Sequence, residues 1–155
     1  MRVNCGRSLA GCESGSALAE MAVVLPLLVL VLLALIEVGR FGDYTVRAGN
    51  AARAGVQYGA QNTTAALDLT GMQNAATSDA SAGAGFSATA SNYCQCSDGS
   101  ASPNCLPSDC ASSHRIVFVE VDTTGTFGSL TNFAGLPASL RTITVHGKAV
   151  MRVAQ

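Results

Sequence analysis

The sixteen residues from Met21 to Ile36, MAVVLPLLVLVLLALI, carry no charge, and extension back to Ala17 gives twenty residues interrupted only by Glu20. A helix of that length rises about 30 Å, the thickness of a bilayer's hydrocarbon core. A soluble domain could hide it only by surrounding every face with large apolar side chains. This chain of 155 residues is poorly supplied with them, since 25 residues are Ala, only eight are Phe or Tyr, and none is Trp. The run therefore reads as a retained membrane anchor. A cleaved secretory signal would also place Arg2 and Arg7 ahead of an apolar run, but its core is about 7 to 15 residues long and ends at a small-x-small site. Here the run ends in IEVGRFGDY. Leu9-Ala10-Gly11-Cys12 has the form of a lipoprotein processing site but precedes the apolar run instead of following it, so no acylation of Cys12 is expected.

Charge narrows the partners. Nine Lys and Arg are scattered through a chain of net charge -1, which leaves no clustered cations to neutralise phosphates, and nucleic acid is set aside. The charges flanking the apolar run are too evenly balanced to orient it by the positive-inside rule. Cysteine orients it instead. Cys94, Cys96, Cys105 and Cys110 fall in SNYCQCSDGSASPNCLPSDC, a polar stretch with little core of its own, which is the pattern of a disulfide staple made in an oxidising compartment. The C-terminal part is thus expected outside the cytoplasm. Cys5 and Cys12 are expected inside it, as reduced bystanders. A Cys-x-Cys pair closes on itself only with strain, so Cys94 and Cys96 should each reach one of Cys105 and Cys110. Zinc is the competing use, but the C-x2-C spacing of a zinc knuckle is missing, and no metal is assigned.

Beyond the membrane the helix should continue. Phe41, Ala48, Ala52 and Gly55 recur at helical spacing as a narrow stripe of mostly small residues, able to seat the chain's own sheet or a neighbouring helix. Gly39, Gly42 and Gly49 weaken helix propensity there and suggest flexure. A short amphipathic helix is predicted over Leu67 to Asp79, with Leu69, Met72 and Ala76 on one face. Asp68, Asp79, Asp98 and Asp109 read as a solvated acidic face; no calcium-loop pattern accompanies them. Strands are predicted at Phe86 to Ser91, at Ile116 to Val121, and from Thr142 to Val153, where apolar residues alternate with polar ones. Between the last two, TTGTFGSLTNFAGLPASL reads as a long connection carrying Phe127, Leu130, Phe133, Leu136 and Leu140. The fold class expected is α+β: a long membrane-spanning helix continuing into a small domain with an antiparallel sheet of about three strands and a stapled loop.

Nothing supports catalysis. His114 and His146 are the only histidines, His146 alternates onto the polar side of its strand, and nucleophile-elbow, zinc-protease and phosphate-loop patterns are missing. No enzyme activity and no cofactor are expected.

The residues around the start of the apolar run are more specific. Gly15-Ser16-Ala17-Leu18-Ala19-Glu20-Met21, the apolar run itself, and NAARAGVQYGA at 50–60 together resemble the TadE/TadG-like pseudopilins, minor components of the tight-adherence (Flp) type IV pilus system. The closing RTITVHGKAVMRV is similar to the family's last strand. The resemblance implies that a prepilin peptidase cuts after Gly15, that Ser16 becomes the N-terminus, and that Glu20 is the fifth mature residue, pairing with a neighbouring subunit's amine during assembly. Met21 stands where the family often has an aromatic residue, and Pro26 where the family also carries a proline, a residue expected to loosen a helix. A carboxylate inside an apolar helix costs about 2.5 to 3.5 kcal/mol at the bilayer centre, less near its surface, and is usually kept for a function. Residues 1–15 would then be a cytoplasmic leader, 16–60 the transmembrane and extended helix, and 61–155 an extracytoplasmic pilin-like domain. Partners implied are the prepilin peptidase, the major and other minor pilins, the inner-membrane assembly platform and membrane lipid. The implied location is the bacterial inner membrane, N-terminus inside, or the pilus and cell surface. An anchored binding module or adhesin outside any filament is the other reading of the same layout.

Overall fold

In the computed structural model, residues 13–80, 85–130 and 142–154 are described. The leader cysteines Cys5 and Cys12, and Phe133, Leu136 and Leu140 of the long connection, lie outside them. The elements are α1 (Glu13–Gly59), α2 (Thr63–Leu67), α3 (Leu69–Asp79), β1 (Ser87–Cys96), a 3-10 turn (Pro107–Asp109), β2 (Arg115–Gly128) and β3 (Thr142–Arg152). The chain divides into two compact units between Gly39 and Arg40. The expected α+β architecture is present: a long apolar helix, a three-stranded antiparallel sheet in the order β1-β2-β3, and a disulfide-bonded loop.

In the second unit, the stripe of small residues on α1 seats the chain's own sheet. Ala48, Ala51, Ala52 and Val56 are buried on one side of the helix. Thr123 of β2 sits inside, its hydroxyl donating to the Ala48 carbonyl at 2.7 Å with the Gly147 carbonyl 3.3 Å away. A Cβ on Gly147 would fall on the Ala48 carbonyl and 2.7 Å from the Thr123 hydroxyl. Helix backbone and strand backbone are therefore nearly in contact, an approach open only to glycine on the sheet side. Along the same face, a Cβ on Gly55 would meet the Met72 carbonyl at 2.9 Å and Val121 at 3.1 Å, and one on Gly59 would meet the Met72 side chain. Met72 and Ala76 of α3, Val119 and Val121 of β2, and Val153 just beyond β3 complete the main core. A second, aromatic cluster joins Phe41 and Tyr44 of α1 to Phe86 and Phe127. Tyr44 stacks on Phe86 at 4.6 Å and meets Phe127 edge-on at 5.7 Å. Edge-on and offset pairs of this kind add about 0.5 to 1.5 kcal/mol beyond area burial.

Three boundaries differ from the sequence reading. Helix does not run unbroken from Leu67 to Asp79: Asp68 leaves helical geometry and caps α3 by accepting from the Gly71 N–H at 2.8 Å, while Thr63–Leu67 forms its own helix capped by Asn62. β1 runs on through Tyr93 to Cys96, because Cys94 and Cys96 continue the inward alternation of Ala88 and Ala90. β2 likewise extends through Phe127 to Gly128, residues read as connection. Polar Thr123 and bare Gly125 hid that strand; the first spends its hydroxyl on a helix carbonyl, and a Cβ on the second would strike the Phe86 ring.

Candidate assembly helix and stapled loop

The apolar part of α1 has no preferred face. Its large aliphatic residues from Leu18 to Ile36 are all between 39% and 77% exposed, with Leu18 at 73% and Leu33 at 39%. A helix apolar on every side and covered on none is the arrangement a lipid environment satisfies, and its length and composition suffice to cross a membrane once. Helical geometry continues through Pro26. Gly15 and Ser16 lie in the first turns of the same helix, and Glu20 is exposed one turn beyond Ser16. Four residues of helix rise about 6 Å, so Glu20 stands one turn along the backbone from Ser16. The three residues singled out for processing and assembly are thus brought onto two adjacent turns.

The four cysteines of the polar stretch are bridged as Cys94–Cys105 and Cys96–Cys110, spanning 11 and 14 residues, which resolves the two open pairings. Both bridges leave the inner side of β1 and tie the loop back along that strand's end. The loop also pairs with it directly: the Cys96 N–H donates to Ser100 at 2.8 Å, the Ser102 N–H to Cys94 at 3.3 Å, and Gln95 bridges Ala101. This end of β1 is an edge that would otherwise offer free backbone groups. Cys105 takes a left-handed backbone, φ 53°, as it turns, and its carbonyl accepts from the Arg115 guanidinium.

Acidic residues organise this half in a way the solvated-face reading missed. Asp109 accepts from the Ser102 hydroxyl at 3.0 Å and from the Asn104 and Leu106 N–H groups at 3.2 Å each. Desolvation pushes its carboxyl up, but these donors outweigh it and hold the group below the usual carboxylate range. Asp98 is lowered by the Ser100 hydroxyl and N–H. Asp68 is lowered by the Gly71 N–H and then by the Tyr58 hydroxyl, which donates to it at 2.8 Å; the same bond raises Tyr58. The sequence held the signals, an Asp-Gly turn at 98–99 and Asp68 just ahead of an apolar periodicity. His146 and His114 are exposed, and Lys148 on the outer side of the sheet pairs with Glu120.

No curated protein and no solved structure matches the chain. Residues 15–57 match a family model described as TadE-like protein. The matched span begins at Gly15, takes in Ser16, Glu20 and the whole apolar run, and ends two residues short of the end of α1, so the similarity lies in the long N-terminal helix.

Proposed function

We propose that the protein is a minor pilin, or pseudopilin, with a structural part in assembling a tight-adherence pilus. In this reading a prepilin peptidase removes residues 1–15, leaving Ser16 as the N-terminus and Glu20 as the fifth residue. The protein is then anchored in the bacterial inner membrane with the stapled domain outside, where its partners are other pilins and the assembly platform. No catalytic role is proposed. The observation that carries the reading is the coincidence of the TadE-like match at 15–57 with an apolar helix exposed on every side that bears a carboxylate one turn from the scission point. An ordinary anchor needs neither a defined Gly-Ser junction nor an acidic residue, which is costly in lipid. The electrostatics also fit: a new amine at Ser16 supplies the charge that a neighbour's Glu20 would pair with in low dielectric.

The test is co-expression with the cognate peptidase, followed by intact mass and N-terminal sequencing. Loss of residues 1–15 from the wild type, and its failure in Gly15→Trp, are expected. Glu20→Gln should be inserted and still yield cells with few or no pili. A full-length chain in native membranes would sink the proposal and leave an anchored binding module; normal piliation with Glu20→Gln would remove the carboxylate from assembly.

A further inference from the structure

The inner row of β2 runs Thr123, Val121, Val119, Val117 and Arg115, alternate positions on one side of the sheet. The first three are buried under helix; the row then opens into a cavity of about 200 Å³ beside α2, with Ala66, Val117 and the Cys94–Cys105 bridge in its walls and Arg115 at its end. A strand's inward row that ends in a half-buried guanidinium beside largely apolar walls sets a cation next to apolar surface. Among the described residues Arg115 has no ion pair, and its hydrogen bond to the Cys105 carbonyl engages one of five N–H donors. That bond also fixes the guanidinium in place. The cavity holds roughly six water-sized volumes at about 30 Å³ each, too small for a drug-sized ligand and enough for a short chain.

We propose that this cavity is a binding site for a short aliphatic carboxylate, the chain lying against Ala66, Val117 and the disulfide and the carboxylate taken by Arg115. Planar two-point recognition is what a guanidinium offers a carboxylate, and the largely apolar walls give the aliphatic chain a surface to lie against. The site lies in the stapled domain, includes none of the residues proposed for processing and assembly, and stands or falls independently of them.

The experiment uses the full chain in phosphatidylcholine nanodiscs, titrated with hexanoate and with its neutral isostere hexanamide while the amide signals of Ala66 and Val117 are followed by NMR. Hexanoate is expected to shift both signals saturably and to bind at least tenfold more tightly than hexanamide. Arg115→Gln should erase that preference and Arg115→Lys should keep part of it. Because Arg115 also holds the loop, Thr63→Phe provides a second variant: it fills the cavity from its wall, leaves Arg115 in place, and should abolish binding. Unsaturable shifts, equal affinity for hexanoate and hexanamide, or unchanged hexanoate binding by Thr63→Phe would each overturn the proposal.

Discussion

The two stretches of α1, residues 18–36 and residues 40–59, share a secondary structure and face opposite problems. The first is built of Leu, Val and Ile on all sides, none of them covered. The second, from Ala48 to Gly59, is built mostly of Ala and Gly on its packed side, and Ala48, Ala51, Ala52 and Val56 there are buried, down to near backbone contact with β3. Large side chains suit a helix whose solvent is lipid, because they supply apolar area in every direction. Small ones suit a helix that must lie directly on a sheet, because each missing methyl lets the backbones approach. Side-chain size, more than hydrophobicity alone, thus separates a segment that meets a membrane from one that packs on protein.

The sharpest way to break this comparison is to restore a side chain where its lack matters most. Gly147→Val would drive a Cβ into the Ala48 carbonyl and carbon, and backbone cannot step aside as a flexible side chain can. A loss of about 3 kcal/mol or more is expected, above ordinary overpacking. Hydrogen exchange should show β3 and residues 48–59 losing protection together, while membrane extraction shows the 18–36 segment still inserted. An unchanged exchange pattern would mean that the close approach does not hold the helix.

Of comparable size is the staple. Loops of 11 and 14 residues place each bridge at about 2 to 4 kcal/mol. Replacing all four cysteines with Ser should therefore unfold β1 and its loop, read as a fall in melting temperature of the detergent-solubilised protein. Non-reducing mass spectrometry of the wild type should find no free thiol at these four positions. The segment 18–36 has no part in the bridges, so its helicity should persist.

Acid should loosen the same half more gently. Asp68, Asp98 and Asp109 all have carboxyls held below their ordinary range by donated hydrogen bonds. A group lowered in the folded state stabilises it above the unfolded value, about 3.9 for Asp, and that contribution is lost as pH falls through the lowered folded value. Protection of the Gly71 and Leu106 amides should thus decline below about pH 4. Asp68→Asn keeps an N-cap acceptor and should make Gly71 indifferent to acid while Leu106 still responds. Alkali should act on the Tyr58 bond in the opposite sense, since a raised group stabilises below its unfolded value, about 10, and ceases to as pH climbs through the folded one.

Much of this was legible in the sequence, and what was not has a common cause. Period-two alternation announced β3 and the apolar run announced the anchor, because burial there is carried by apolar residues alone. The ends of β1 and β2 escaped because their inward positions are Cys94, Cys96, Thr123 and Gly125, types whose fit depends on a specific partner: a second sulfur, a helix carbonyl, the Phe86 ring. Asp68 was visible as an acid and unnoticed as a cap. The pocket at Arg115 was illegible, since it arises from Thr63, Cys105 and Arg115 meeting across the fold.

The smallest effect is the one that isolates side-chain size most cleanly. Gly39, Gly42 and Gly49 sit in the same helix as Gly55, yet a Cβ on any of the three would meet nothing within 4 Å. Their glycines are therefore not packing devices, and their cost is the conformational entropy of a bare backbone. Gly42→Ala should accordingly stabilise the helix by about 0.5 to 1 kcal/mol. Gly55→Ala makes the same chemical change 13 residues on, where the new methyl would meet the Met72 carbonyl at 2.9 Å and Val121 at 3.1 Å. The helix gains the same propensity there, but the core must yield to fit a methyl, at about 1 to 3 kcal/mol. One substitution is thus expected to raise the melting temperature and the other to lower it. If both shift it in the same direction, helix propensity outweighs packing in this segment, and the small-residue stripe is not what brings helix and sheet together.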